Sequence, residues 1–299
     1  MIPKFPEFTA VSKENIKEIK EALKENPPEI SDLTSGTLWG YRTSLNYHVS
    51  KLEENILIHS VPPQKIDLPA FFLPPIGKNI TPDLFKKCLS FLKEKYGTGI
   101  FTSVPEGLAK EMQKTGLTIT EKRDDADYIY KVSELADMKG SLHQSKRNFA
   151  NSFYKDYKYE FLVLTKELLA QCLELQEKWC NIKKCMFFKS LEMENIAILE
   201  MLENVDLLGL FGAVIKIDGK VQAFGVAEQL NAETAVIHIQ KANTEYRGIY
   251  QALSQQLCLK TVAGYKYSNW EQDLGNAGLR KSKLSYHPYR LLIKYDASL

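Results

Sequence analysis

At 299 residues the chain is long for one core and comfortable for two domains of about 150 residues each. Hydrophobic residues at 44%, charged residues at 25% and aromatics at 11% exclude a disordered or fibrous chain. Thirty-nine Lys plus Arg against 37 Asp plus Glu leave a net charge of only +2, so any anion site must be local. The longest apolar run, Leu207 to Ile215, is less than half of the ~20 residues a membrane-spanning helix needs. The opening MIPKFPEFTA places two prolines and an acid where a signal peptide carries an apolar core. The expectation is a cytoplasmic protein without a transmembrane segment, peripheral to a membrane at most. Cys88, Cys172, Cys180, Cys185 and Cys258 show no CxxC and no His at metal spacing, which argues for reduced thiols and no metal site. Cys180 and Cys185, beside Trp179, read as small apolar residues rather than a metal pair.

In chain order, Ser12 precedes a helix with Ile16, Ile19 and Leu23 on one side. YHVSKLEENILIHSV reads as a hairpin and PAFFLPP as a buried strand. Thr81-Pro82-Asp83 supplies a cap, a first-turn proline and an acid, a helix start. GIFTSV, the helix PEGLAKEMQKTG and two strands, LTITEKR and DYIYKV, follow. The segment Ser133 to Tyr157 is basic in its middle and expected to be helical after Gly140.

The second half repeats this plan more clearly. KYEFLVLT is a strand whose Thr165 can cap a helix carrying Leu168, Cys172, Leu175 and Trp179 on one face. A helix over about Leu191 to Glu203 leads to a strand at 207 to 217, and Asp218-Gly219 marks a tight hairpin into KVQAFGVAEQL. The strand AVIHIQKA, the helix YRGIYQALSQQLCLK, the short strand YKYSNW, the helix NAGLRKSKL and the strand YRLLIKY complete the order β-α-α-β-β-β-α-β-α-β. Two such units predict an α/β fold of tandem domains with mixed central sheets: 1–135, a basic joining helix 136–157, and 158–299.

DYIYKVSELADMKGSLHQSKRNFANSF, HIQKANTEYRGIYQALSQQ and EQDLGNAGLRKSKLSYHP resemble the signature segments of the family built on the C-terminal domain of phosphatidylglycerol lysyltransferase. The likeness covers roughly Asp127 to Tyr295, and before Asp127 it rests on length and element order. It implies two tandem domains of the GCN5-related N-acetyltransferase fold. KRNFANSF is also similar to the K-x-R-x-x-I helix of Fem-type peptidyltransferases, which take an amino acid from an aminoacyl-tRNA. Against the family pattern, Gln240 stands where Glu is usual, Ser254 where Asn is usual, and Trp270 where Arg precedes the acidic pair.

The resemblance implies an acyl- or aminoacyltransferase working by direct attack on an amine or hydroxyl, with no permanently bound cofactor. In such a domain the fourth strand splays from the fifth, and the next helix start holds the pyrophosphate of an acyl carrier. Here that turn is Glu245-Tyr246-Arg247-Gly248-Ile249-Tyr250, with an acid where the coenzyme A motif has a cation and Tyr250 where it has a small residue, which weakens acyl-CoA as donor. An aminoacyl-tRNA needs cations over a broader surface, and Lys139, Lys146, Arg147, Arg247, Arg280, Lys281 and Lys283 can supply them, or can form ordinary solvated faces. Asp273 and Glu271 are candidates to hold a donor amine or accept a proton, although Asp273 can equally cap a helix or pair with Arg280. Tyr286 is a candidate proton donor or a core aromatic, and His238, sharing a strand face with Gln240, a candidate base or a satisfied neighbour. The acceptor is a small molecule, a peptide or a lipid headgroup. A non-catalytic anion- or ligand-binding module of the same fold is the alternative.

Overall fold

The computed structural model describes residues 1–64 and 66–299. It opens with β1 (Thr9–Ala10), α1 (Asn15–Glu25), a 3-10 turn at Ser31–Leu33 and α2 (Ser35–Tyr41). β2 (Tyr47–Leu52), β3 (Asn55–Ser60), β4 (Phe71–Phe72), α3 (Pro82–Tyr96), β5 (Ile100–Pro105), α4 (Glu106–Lys114) and β6 (Thr118–Lys131) follow. Next come α5 (Val132–Asp137), α6 (Gln144–Asp156), β7 (Tyr159–Val163), α7 (Lys166–Lys183), a 3-10 turn at Cys185–Phe187, α8 (Lys189–Glu203) and α9 (Val205–Leu208). The chain finishes with β8 (Phe211–Ile217), β9 (Lys220–Gln229), β10 (Thr234–Ala242), α10 (Ile249–Gln256) running into a π turn at Leu257–Thr261, β11 (Tyr267–Asn269), α11 (Ala277–Leu284) and β12 (Arg290–Ser298).

Two compact units result, Met1–Asp127 with Leu292–Leu299, and Tyr128–Leu291. This division differs from the expected 1–135, 136–157 and 158–299, because the last strand, β12, pairs with β5 and so belongs to the first unit. That unit orders its strands β1-β2-β3-β4-β5-β12-β6. β4 and β5 run parallel, and the β2–β3 hairpin is antiparallel. Its core joins Phe72 and Phe101 of the sheet to Phe85, Leu89 and Leu92 of α3. Thr81 caps α3 by accepting from the Leu84 amide, as its sequence indicates.

The second unit begins with the last residues of β6 and continues β11-β10-β9-β8-β7. β10 and β11 are parallel, and the other neighbouring pairs antiparallel. Ala213, Ile215, Ala223, Ala227 and Ile237 of the sheet pack with Ile249, Leu253 and Leu257 around α10.

Three expectations are corrected. LTITEKR and DYIYKV are one strand, β6, whose first half is mostly exposed and whose last residues are buried. The strand expected at 207 to 217 begins at Phe211, since Val205–Leu208 forms a helical turn closed by Gly209 at positive φ. Cys180 and Cys185, expected as free thiols, are joined in a disulfide: Lys184, in the left-handed region after α7, folds the chain back and leaves their Cα atoms 5.1 Å apart, within bridging range.

Candidate active site

β10 and β11 are paired only at Thr234/Tyr267, Ala235/Ser268 and Val236/Asn269, although β10 continues to Ala242. After Asn269 the backbone turns away, with Glu271, Leu274 and Gly275 all at positive φ. Gly275 is suited to such a bend, and the two side-chain-bearing residues are held there by hydrogen bonds around them. The sheet opens at this point, as the family resemblance implies. A register shift against β9 between Ile237 and Ile239 makes His238 the extra residue of a bulge, which interrupts the period of two linking His238 to Gln240.

His238 is buried and bonded at both ring nitrogens, Nδ1 to Glu271 Oε1 at 2.7 Å and Nε2 to Glu228 Oε2 at 3.1 Å. Burial alone would lower its pKa, but the two carboxylates outweigh it and raise the value to about 9. At neutral pH both nitrogens therefore donate, and the ring is a fixed cation rather than a free base. Glu271 keeps a side chain 26% exposed, whereas that of Asp273 is fully buried. Asp273 accepts from Arg280 Nε at 2.9 Å and Nη2 at 2.6 Å, from Tyr128 Oη at 2.5 Å and from the Gly275 amide at 2.9 Å. Its burial opposes ionisation, yet these donors hold its pKa at about 2. It serves as an anchor for the turn, and Glu271 is the more accessible of the two carboxylates.

Ser254 on α10 donates to Gln240 Oε1 at 2.7 Å and lies beside the Tyr286 hydroxyl. The Tyr286 ring meets Trp270 edge-on at 5.0 Å and carries the Lys146 ammonium 4.3 Å above its centroid. Gln240, Ser254 and Trp270, the three positions that depart from the family pattern, thus form one cluster through Tyr286. Burial pushes the Tyr286 hydroxyl up to about 12, which keeps it a proton donor, and lowers the pKa of Lys146.

The expected band of free cations is not assembled. Arg147 donates to the carbonyls of Met138 and Gly140, Lys283 to those of Trp270 and Gln272, and Arg280 is held by Asp273. Lys139 pairs with Asp137. Backbone carbonyls exposed at positive-φ turns attract these side chains, a demand that residue type alone does not show. Lys281 is exposed on α11. Arg247 is exposed beside a cleft of about 390 Å³ lined by Gln144, Ser145, Asn148 and Phe149, with its guanidinium 5.3 Å from the Phe149 ring centroid. Gly248, expected at a phosphate, has a packing reason: a Cβ there would lie 2.1 Å from the Phe149 carbonyl oxygen, so α6 approaches α10 only across a glycine. Sequence reading missed Glu228, which the bulge brings to His238, Tyr128, which reaches Asp273, and Phe149, which only the α6–α10 approach places beside Arg247.

The family described as phosphatidylglycerol lysyltransferase, C-terminal, matches residues 28–298. A crystal structure of a conserved protein of unknown function from Bacteroides thetaiotaomicron superposes at a TM-score of 0.90 with 28% identity, covering 100% of both chains. The structure of L-PGS from Bacillus licheniformis gives 0.70 at 18% identity, covering 100% of this chain and 93% of that one. The C-terminal domain of a putative lysylphosphatidylglycerol synthetase from Agrobacterium fabrum gives 0.69 at 15% identity, covering 96% and 92%. The mixed α/β fold of this chain is shared with these structures.

Proposed function

This chain belongs to the phosphatidylglycerol lysyltransferase C-terminal family, and from that premise we propose that it moves an aminoacyl group from aminoacyl-tRNA onto an amine or hydroxyl. The family match over 28–298 is the observation that carries this reading. In the reaction the acceptor's nitrogen or oxygen attacks the ester carbonyl, a new C–N or C–O bond forms, and the bond to the ribose oxygen breaks. The acceptor loses a proton and the ribose oxygen gains one. Tyr286, kept protonated by burial, is suited to donate to that leaving oxygen. Glu271, steadied by protonated His238, is suited to hold the donor's α-ammonium or to take the acceptor's proton.

The cleft suits the single-stranded end of a tRNA, with Arg247 for a phosphate and the exposed Phe149 ring for a base. Acyl-CoA is less well served. The Phe149 carbonyl sits against the start of α10, and Glu245 precedes it, both unfavourable to a pyrophosphate. The acceptor to try first is the lipid in the family's name, the glycerol hydroxyl of phosphatidylglycerol.

The test is label transfer from a charged tRNA pool to phosphatidylglycerol vesicles and to a panel of amines. The expected result is an aminoacylated acceptor, with transfer lowered at least tenfold in Tyr286→Phe and the KM for tRNA raised in Arg247→Gln and Phe149→Ala. Transfer from acyl-CoA with none from aminoacyl-tRNA would reject this donor. The absence of transfer from either would leave the binding module, which the closed Gln240–Ser254–Tyr286–Trp270 cluster also suits.

A further inference from the structure

The end of α7 and the start of α8 present a feature that the transfer reading does not use. Ile182, Met186, Phe187 and Phe188 are 73%, 88%, 82% and 56% exposed, although three of them lie within the 3-10 turn and its boundary. Four large apolar side chains turned outward at one tip are not explained by packing, since a folded chain gains by burying them. The same tip carries Lys178, Lys183, Lys184 and Lys189, and from Lys178 to Leu191 the sequence has no acidic residue. Among the described residues none of these four lysines forms an ion pair. The Cys180–Cys185 disulfide ties the base of the tip, so the apolar side chains project from a closed turn.

We propose that this tip is a docking surface for an anionic lipid bilayer, with Met186, Phe187 and Phe188 entering the headgroup–acyl boundary and the lysines contacting lipid phosphates. Charge complementarity selects the occupant. A protein partner's apolar patch would meet four unpaired ammonium groups at its edge, whereas an anionic interface offers apolar depth and negative charge together. No described helix is long and apolar enough to cross a membrane, so the contact is peripheral. The inference does not depend on the transfer reaction, and its readout is partitioning.

Vesicles of phosphatidylglycerol mixed with phosphatidylcholine, and of phosphatidylcholine alone, are sedimented with the full chain at 50 and 150 mM salt. Binding is expected to the anionic vesicles only, and to weaken with salt. Each lysine near an anionic surface contributes about fivefold to partitioning, so Lys183→Gln with Lys184→Gln should lose roughly 25-fold. Phe187→Ser with Phe188→Ser should lose at least tenfold while leaving the circular dichroism spectrum unchanged. Phe187→Trp should be quenched by brominated acyl chains. Equal binding to neutral vesicles, no binding at 50 mM salt, or vesicle-independent dimerisation removed by the serine substitutions would each overturn the proposal.

Discussion

His238 shows how a side chain's partners decide its role. From the sequence a histidine on a strand near an opening is a candidate base or a satisfied neighbour, and two carboxylates fix it as an imidazolium with pKa raised to about 9. Because the folded value lies above the unfolded one, the associated stability is complete below about pH 6.5 and is lost as pH rises through about 9. His238→Gln removes the central cation and leaves Glu228 facing Glu271, which should cost about 3 kcal/mol at pH 6. Urea unfolding of both proteins at pH 6 and pH 9.5 checks this, and a difference that stays constant between the two would contradict the charged-histidine reading. The residue types of this site were visible in the sequence. Their contacts were not, because Glu228 reaches His238 through a bulge and Asp273 is claimed by Tyr128, 145 positions away.

Elements with a one-sided apolar stripe or a clear cap were legible: α1, α3, the β2–β3 hairpin, α7 and the strands from β8 to β10. α2 was not, since Ser35, Gly36, Leu38, Trp39 and Gly40 are all buried and leave no polar face to set a period. β6 was read as two strands, LTITEKR and DYIYKV, but Asp124 and the half-buried Asp125 between them lie within one continuous strand. Between elements, the contact of α6 with α10 depends on Gly248, at φ 85, where any side chain meets the Phe149 carbonyl. Gly248→Ala combines left-handed strain with that collision and should cost more than about 2 kcal/mol. The expected sign is faster amide exchange in α6 with the β8–β9 pairing still protected. Unchanged protection in α6 would mean that the glycine serves another purpose.

At the scale of the whole molecule, the chain leaves its first unit after Asp127 and returns to it at Leu292. A sequence read from left to right assigns the end of the chain to the second half, and only the pairing of β12 with β5 reverses that. The return is held by Lys294, fully buried with its ammonium bound to Asp127 Oδ1 at 2.6 Å and also to Asp32. Burial would lower its pKa, yet the two carboxylates raise it, so the lysine stays charged inside the unit. Asp127 also accepts from the amide and hydroxyl of Ser31, at 2.8 and 2.9 Å, so the last strand is tied to an early turn of the same unit. Lys294→Met strands Asp127 in the interior and should destabilise by about 3–5 kcal/mol, whereas Lys294→Met combined with Asp127→Leu removes the fully buried pair, leaving only the partly exposed Asp32, and should recover part of that loss. Limited proteolysis locates the damage. New cleavage in the single variant is expected before Asp127, with the stretch from Tyr128 to Leu291 cut no faster than in the unmodified chain. Cleavage spread evenly along the chain, or a double variant no more stable than the single one, would show that the buried ion network is not what secures the returning strand.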